Sequence, residues 1–323
     1  MIDDLNNIVN RYARQRRVCF QSAAASKTKT SSEMAIQRKS LNTAIAICNQ
    51  KGGCAKTTTA VNLSASLAQR GYKTLLVDLD PQAHASLGLG IDIDTLENTI
   101  YDVIIHNVNI DSIIHRTSAE NLDIAPANSM LAGAQLELAD ILGRELVLRT
   151  AIRKMKLIRE YDFILFDCSP SLNLVTINAL VAAEFVIIPI QTHYYSLEGM
   201  RELFSTLDII KERLNAEIGI LGILPTLFDA RTKVSHQILQ QIRSYFKDMV
   251  FQTVIHNNVK LCEAPMHKKP IQAYAPTSRG AQDYQSLCDE LVVLLAQQGC
   301  GHIENHIENN LPEVGHVAGE LTG

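Results

Sequence analysis

The sequence predicts an α/β protein built on a doubly wound, mostly parallel sheet. From residue 43 onward, short apolar runs of strand length alternate with longer stretches of helical periodicity. The runs are predominantly apolar and do not alternate with polar residues, which is typical of strands that are covered by helices on both faces. With 323 residues, 46% of them hydrophobic, the chain can build a core of that size.

Six apolar runs are predicted to be buried strands. They are "TAIAIC", "KTLLVDLD", "YDFILFDC", "EFVIIPIQ", "IGILGILPTLF" and "VFQTVI". The first helix is expected to begin in the threonine row at Thr57 and to end at Gly71, because glycine commonly terminates helices. These elements predict one domain over residues 43–298.

The two ends of the chain differ from this domain in composition. Residues 1–42 form a basic extension and a linker rich in Ser, Thr, Ala and Lys, which predicts flexibility; the first 43 residues carry eight Lys/Arg against three acidic residues. The basic stretch is either a frayed terminus or a contact for nucleic acid or a partner. Residues 299–323 are an acidic polar tail, expected to be disordered; His302 and His306 have metal-ligand spacing there, but no third ligand is evident.

Composition excludes several classes of protein. The net charge of −4 argues against a protein that coats nucleic acid with its whole surface. Seven scattered cysteines without a CxxC pair indicate neither a disulfide framework nor a zinc site. The apolar runs are shorter than the roughly 18 to 20 residues of a membrane span, and no signal core precedes them. We therefore expect a cytoplasmic protein.

The segment "NQKGGCAKTTT", Asn49 to Thr59, follows the first predicted strand and opens the first predicted helix. This arrangement places backbone N–H groups and a helix N-terminus around phosphate groups. Lys56 would neutralise the β and γ phosphates, and the Thr57 hydroxyl would bind Mg²⁺. A glycine-rich turn with a capping threonine would leave both Lys51 and Lys56 unexplained. The predicted nucleotide-binding residues are Lys51, Gly52, Gly53, Cys54, Ala55, Lys56, Thr57 and Thr58.

Three carboxylates follow predicted strands. Asp78 and Asp80 stand in "DLDPQ", and Asp167 stands in "LFDCSPS". Because ligands of doubly wound sheets bind at the carboxyl ends of the strands, these aspartates favour a nucleotide and metal site over a set of turn-capping residues.

The motifs "KGGCAKTTT", "LLVDLDPQ" and "FDCSPS" resemble those of the deviant Walker-A ATPases of the ParA type, within the MinD/ParA superfamily of P-loop NTPases. The later stretches "PANSMLAGAQLEL", "YYSLEGM", "FDARTKVS", "VKLCEAPMHKKPI" and "SRGAQDY" are similar to those of the chromosome-partitioning branch, ParA/Soj. The resemblance spans about residues 43 to 298.

The resemblance implies a role for each matched residue. Lys51 would be the signature lysine, reaching the phosphates on a partner subunit so that ATP lies between two chains, and Gly52 would let the two backbones approach closely. Asp80 would position or activate the attacking water, Asp167 would be the Walker-B carboxylate near Mg²⁺, and Asn258 would face the adenine. Hydrolysis is then a phosphoryl transfer that depends on positioning and charge neutralisation.

The resemblance also implies a function and partners. ATP would produce a homodimer that binds DNA without sequence preference, and a ParB-like centromere-binding protein would stimulate an otherwise weak hydrolysis and release the dimer from the nucleoid. Candidate contacts for DNA phosphates are Arg231 and Lys233 in "DARTKVS", together with Lys211 and Arg213 in "IIKERLN".

The sequence departs from the family pattern at three places. Ala55 replaces the usual glycine; if that position requires a positive φ, the alanine costs about 1 to 2 kcal/mol and weakens nucleotide binding. "CSPS" replaces CPPS, and "VIHNNV" replaces the IPRN stretch while keeping Asn258. Cys54, at a helix start, is either a thiol of lowered pKa or simply a small residue that fills its position.

Two alternative functions remain open. A related ATPase could position a protein assembly along the nucleoid instead of DNA, and the neighbouring genes would separate these cases. A MinD-like membrane-positioning ATPase would end in a basic amphipathic helix. Here the last helix, "YQSLCDELVVLLAQQ", has two acidic residues and no lysine or arginine, so a membrane is not expected as a partner.

Overall fold

The computed structural model describes Tyr12 and residues 43–156, 158–193 and 200–297, and it confirms the predicted fold class. Its sheet has seven strands in the order β3-β4-β2-β5-β1-β6-β7. Neighbouring strands are parallel except β3 and β4. The linker within residues 1–42 and the tail at 299–323, with His302 and His306, lie outside the described residues.

Five of the predicted strands are present, and two short strands at one edge, β3 and β4, were not predicted. The strands are β1 (Thr43–Ile47), β2 (Thr74–Leu79), β3 (His115–Arg116), β4 (Leu122–Ala125), β5 (Phe163–Cys168), β6 (Phe185–Gln191) and β7 (Gly219–Thr226).

The helices connect the strands and cover both faces of the sheet. They are α1 (Lys56–Gln69), α2 (His84–Gly88), α3 (Ile100–His106), α4 (Ala134–Leu138), α5 (Val147–Lys156), α6 (Leu174–Ala182), α7 (Met200–Arg213), α8 (Lys233–Phe246), α9 (Val259–Glu263), α10 (Ile271–Tyr274) and α11 (Arg279–Gln297). Short 3₁₀ turns lie at Ile93–Thr95, Ile110–Ile113, Ser129–Ala132, Arg144–Leu146, Lys247–Met249 and Ala264–His267.

The core lies on both faces of the sheet, as the apolar runs predicted. All five residues of β1 are buried; Ala44 and Ala46 pack into one hydrophobic cluster, whereas Ile45 and Ile47 pack into the other. This alternation follows from the two-residue period of a strand. Because β1, β2 and β5 are parallel, their carboxyl ends meet at one edge of the sheet.

The predicted strand "VFQTVI" is wrong. Of its residues, Val250 makes an isolated bridge with Ile223, and His256, directly after the run, makes another with Phe228. The Glu290 carboxylate of α11 accepts hydrogen bonds from the backbone amides of Gln252 and Thr253, at 2.7 and 2.8 Å. Because a side chain takes up these two amides, they are not available to a strand ladder.

The last described helix, α11, packs against α1 through a buried contact between the Tyr284 and Thr59 hydroxyls, 3.2 Å apart. An ion pair between Arg70 and Asp289 joins the same two helices at the surface. Among the described residues, no helix combines the length and the apolar character that crossing a bilayer requires.

Candidate nucleotide site

The loop between β1 and α1 closes around the side chain of Lys56. This lysine is only 7% exposed, and its Nζ donates a hydrogen bond to the carbonyl oxygen of Lys51 at 3.1 Å. The Cys54 sulfur lies 4.0 Å from the same Nζ. The ammonium group is thus held against the loop backbone next to the start of α1, where an anionic phosphate would meet it.

Two neighbouring strand ends hold this loop in place. The Gln191 side chain, at the end of β6, donates a hydrogen bond to the Gly53 carbonyl. The Thr226 hydroxyl, at the end of β7, donates to the Cys54 carbonyl at 3.1 Å. Sequence reasoning missed both residues, although polar residues that close apolar strands at the carboxyl edge were the available signal.

The loop backbone needs positive φ at two positions. Gly53 has φ 70° and Ala55 has φ 66°. Glycine adopts this left-handed conformation freely, but alanine pays about 1 to 2 kcal/mol for it. The structure therefore meets the condition on which the expected cost at Ala55 depended.

Gly52 differs from these two positions. Its φ is not positive, and a Cβ placed on it would meet no heavy atom of the described residues within 4 Å. Neither backbone strain nor packing against the described part of the chain requires a glycine here.

The Lys51 side chain lies at the mouth of the loop. Its backbone N–H donates to the Asn49 side chain at 3.0 Å, which orients the residue. Within residues 43–156, 158–193 and 200–297 its ammonium group forms no ion pair. The side chain is a positive charge that nothing in the described part of its own chain neutralises.

Asp78 and Asp167 lie directly opposite each other on β2 and β5. Both are fully buried, and no hydrogen bond of good geometry reaches either carboxylate oxygen of Asp167. Burial, and next the charge of Asp78, raise the pKa of Asp167 well above its usual value; Thr57 and Lys56 oppose this shift without cancelling it. A buried carboxylate without partners is costly unless a cation neutralises it.

These features fit a Mg²⁺ ion. Asp167 and the half-buried Thr57 hydroxyl beside it would supply hard oxygen ligands, and Mg²⁺ prefers one or two protein oxygens together with substrate phosphates. When bound, the ion would neutralise charge on the phosphate oxygens. The described residues contain no cluster of three His, Cys, Asp or Glu that could hold a metal ion.

Asp78 shapes the turn that carries Asp80. Its carboxylate accepts hydrogen bonds from the Ser86 N–H and hydroxyl at 2.9 and 2.7 Å, and burial raises its pKa to about 6. Its other oxygen accepts from the Asp80 N–H at 3.2 Å. Asp80 is 9% exposed and accepts from the Gln82 N–H at 2.9 Å, so its carboxylate is held at the same sheet edge.

The other expected site residues are distributed around this edge. Thr58 follows Thr57 in the first turn of α1, and Asn258 caps α9, where its side chain accepts from the Lys260 N–H at 2.8 Å. Burial raises the pKa of Cys54, against the helix-start argument for a reactive thiol.

The four predicted DNA contacts do not form one patch. Arg231 and Lys233 follow β7, whereas Lys211 and Arg213 lie in the last turn of α7, which leads into the start of β7. The eight residues of that strand separate the two groups by about 26 Å. Arg231 is 87% exposed, with its guanidinium paired to both carboxylate oxygens of Asp229. The Lys211 ammonium donates to the Ile218 carbonyl at 3.1 Å.

Known proteins similar to this chain agree with a nucleotide site at this position. A family model described as an AAA domain matches residues 42–220. The sporulation initiation inhibitor protein Soj of Bacillus subtilis is 47% identical over 247 residues, which cover 76% of this chain and 97% of that protein. The chain belongs to the ParA/Soj family. The chromosome partitioning protein ParA of Myxococcus xanthus is 46% identical over 248 residues, 77% of this chain and 87% of that protein.

A solved structure extends the likeness to the fold of this ParA-family ATPase. The cobyrinic acid a,c-diamide synthase of Mycobacterium smegmatis, crystallised with ADP and magnesium, has a TM-score of 0.68 and 32% identity. The match covers 80% of this chain and 96% of that protein. The resemblance found in the sequence motifs is thereby confirmed.

Proposed function

We propose that the protein is an ATP-dependent DNA-segregation switch of the cytoplasm, associated with the nucleoid. Its ATP form would be a homodimer that binds DNA without sequence preference, and hydrolysis stimulated by a ParB-like partner would release it. The observation that carries this proposal is the Lys51 ammonium, which stands at the mouth of the phosphate loop without an ion-pair partner in the described part of its own chain.

Within one subunit, each step of hydrolysis has a candidate residue. Lys56 would bind the β and γ phosphates, with the loop N–H groups around it. Asp167 and Thr57 would hold Mg²⁺, and Asp80 would orient the attacking water. Catalysis by these groups is electrostatic, because a phosphoryl transfer needs little covalent help from the protein.

Two features favour a dimer that shares its ATP. Lys51 has no counter-charge in the described part of its chain, and nothing in that same part requires residue 52 to be a glycine. Both are explained if a second subunit approaches the loop closely and receives the Lys51 ammonium on its own phosphates.

DNA binding would use Arg231 and Lys233, with Arg213 as a contact on α7. Arg231 is exposed and already oriented by Asp229, which a DNA phosphate would have to displace from the guanidinium. Lys211 is a weaker candidate, since its ammonium is engaged with the Ile218 carbonyl.

The alternatives predict different cargo or surfaces. A protein assembly in place of DNA would leave the nucleotide site unchanged and replace the segregation partner. Membrane positioning is disfavoured because α11 carries Asp289 and Glu290, which bind Arg70 and two backbone amides of the same domain.

Co-sedimentation with DNA in ATP, in ADP and without nucleotide tests the proposal. We expect retention on DNA only with ATP. Equal binding in all three conditions would refute the switch, and no binding in any of them would refute DNA as the track.

A further inference from the structure

The segment 255–258 lies at the same edge of the sheet as the phosphate loop. Phe228, which follows the end of β7, donates its N–H to the Ile255 carbonyl at 3.1 Å, and its own carbonyl accepts the Asn257 N–H at 2.9 Å. Thr226, the last residue of β7, donates to a carbonyl of the phosphate loop. The loop and the segment are therefore held by the same strand end.

One carboxylate on α11 holds His256 at two points. Asp283 is only 4% exposed, and one of its oxygens accepts the His256 N–H at 2.8 Å and lies 2.9 Å from the Nδ1 of the ring. Its other oxygen pairs with the Arg279 Nε at 2.9 Å. The His256 ring also meets the Phe228 ring edge-on, with the centroids 5.4 Å apart. Both the backbone and the side chain of His256 are thus fixed.

A histidine at this position needs such a partner. The family stretch IPRN has proline where this chain has His256. Proline fixes φ at about −65° and has no N–H, so it stiffens a segment without help from another residue. Histidine brings back an N–H that must be satisfied and a backbone that is free to turn. The Asp283 carboxylate takes up this N–H and restricts the same backbone.

The segment leads to Asn258, whose side chain also has a fixed orientation. Its oxygen accepts the Lys260 N–H at 2.8 Å, so the amide cannot exchange its oxygen and nitrogen without losing this bond. Position 6 of a purine carries a hydrogen-bond donor in adenine and an acceptor in guanine. An amide of fixed orientation can therefore favour one purine over the other.

We propose that Asp283 is a positioning residue for the nucleotide base. By holding His256 it fixes the backbone that presents Asn258, and it thereby increases the preference for ATP over GTP. This role rests on the proposed function and on the place beside the adenine that the family resemblance implies for Asn258. Asp283 acts through His256 and not by touching the nucleotide.

Titrations with fluorescent analogues of ATP and GTP measure the preference as the ratio of the two Kd values. We expect Asp283→Ala to reduce the preference for ATP at least about fivefold, which is the low end of what one well-oriented contact to a base edge contributes to discrimination. The loss should fall mainly on the ATP analogue. Asp283→Asn keeps an oxygen that accepts the His256 N–H, so it should reduce the preference less than about twofold.

Glu290→Ala is the matched control. It removes a carboxylate from the same helix, and like Asp283→Ala it deprives backbone N–H groups of their acceptor, here those of Gln252 and Thr253. Because these two residues precede the segment 255–258, we expect the Tm to fall while the preference for ATP stays as in the parent.

His256→Pro tests the mechanism by rescue. In an Asp283→Ala background, proline removes the N–H that has lost its acceptor and stiffens the same backbone. We expect the double variant to recover the preference of the parent to within about twofold. Melting curves identify the variants that are folded, and Asp283→Asn decides the case if the double variant is not.

Several results would overturn this role. An unchanged preference in Asp283→Ala together with a lowered Tm would mean that Asp283 only stabilises the fold, and so would equal losses in Asp283→Ala and Glu290→Ala. A folded double variant that is still unselective would mean that Asp283 does not act through His256. A parent that binds both analogues equally would leave no preference to position. If the parent prefers ATP but does not bind DNA, the switch fails, while the two carboxylate variants still decide the role of Asp283.

Discussion

Replacing Ala55 with glycine should stabilise the protein while leaving its affinity for nucleotide almost unchanged. Ala55 has φ 66° and ψ 35°, and it precedes the first residue of α1. Its carbonyl accepts the Thr59 N–H at 2.9 Å, so the conformation is built into the start of the helix. The strain is therefore a property of the loop backbone at the start of α1.

The size of the effect follows from two opposing contributions. Glycine removes the cost of about 1 to 2 kcal/mol that an L-residue pays for left-handed backbone. It also gives the unfolded chain more freedom, which returns about 0.4 to 1 kcal/mol. The difference, about 0.5 to 1 kcal/mol, corresponds to a rise in Tm of about 1 to 4 °C for a domain of this size.

Thermal melting without nucleotide measures the stability, and titration with a fluorescent ATP analogue measures the affinity. Because we expect the start of α1 to keep this backbone conformation with and without nucleotide, the Kd should change by less than about twofold. Ala83→Gly is the matched control. Ala83 also has positive φ, 51°, but it is fully buried, so the loss of its methyl group, about 0.8 kcal/mol, should offset the gain.

Two results would refute this reasoning. A Tm for Ala55→Gly that is equal to or below that of the parent would mean that Ala55 is not strained in the folded protein. Tenfold tighter binding of the analogue would mean that the loop adopts its left-handed residue only when nucleotide arrives, as the sequence departure alone had suggested.

The remaining predictions concern the charged groups of the site and the DNA surface. Lys56→Ala should abolish binding of Mg·ATP, because the phosphates lose their buried in-subunit cation; parent-like binding of the analogue would contradict the assignment of the loop. Asp80→Ala should still bind ATP and dimerise but hydrolyse ATP about 10²- to 10⁴-fold more slowly. Lys51→Ala should instead bind ATP as a monomer, and light scattering distinguishes the two variants. A Lys51→Ala variant that dimerises and hydrolyses ATP would exclude the proposed contact across the interface. Arg231→Glu should make the salt slope of DNA binding shallower by about 1 for each bound subunit without affecting ATP-dependent dimerisation; an unchanged slope would place the DNA surface elsewhere. The raised pKa values of Asp167 and Asp78, the latter about 6, mean that the folded protein holds protons that the unfolded chain has already released, so its stability without nucleotide should fall as the pH rises from about 4 through 6. Asp167→Asn should make the Tm depend less on pH. A Tm that varies with pH as strongly as in the parent would show that Asp167 does not titrate as described.

The phosphate loop was predictable from the sequence because its chemistry is local. Residues 51–58 are contiguous, and a strand, two glycines, a lysine and a threonine in that order leave few other arrangements. The carboxylates could be assigned to the same edge because parallel strands end together, and the register confirms that Asp78 lies opposite Asp167. Both inferences need only the sequence order of elements.

The remaining features depend on contacts between distant parts of the chain. Gln191 and Thr226 hold the loop from positions more than 130 residues away in the sequence. The Glu290 carboxylate accepts a backbone N–H of "VFQTVI" that a β-strand would have needed for pairing. A pattern of apolar residues cannot show which carboxylate will take up a backbone amide. For the same reason the sequence did not show that the Lys211 ammonium contacts the face of the Tyr12 ring.

The packing of α11 on α1 makes the order of synthesis important. The helix that begins with Lys56 is completed by a helix that ends at Gln297, with the buried Tyr284 hydroxyl against Thr59. A ribosome that adds about 5 to 20 residues per second needs roughly 10 to 50 s to make the chain between these points. During that time the emerging chain exposes the apolar face of α1, so we expect nascent chains to need protection by chaperones and to gain ATP binding only when synthesis is nearly complete.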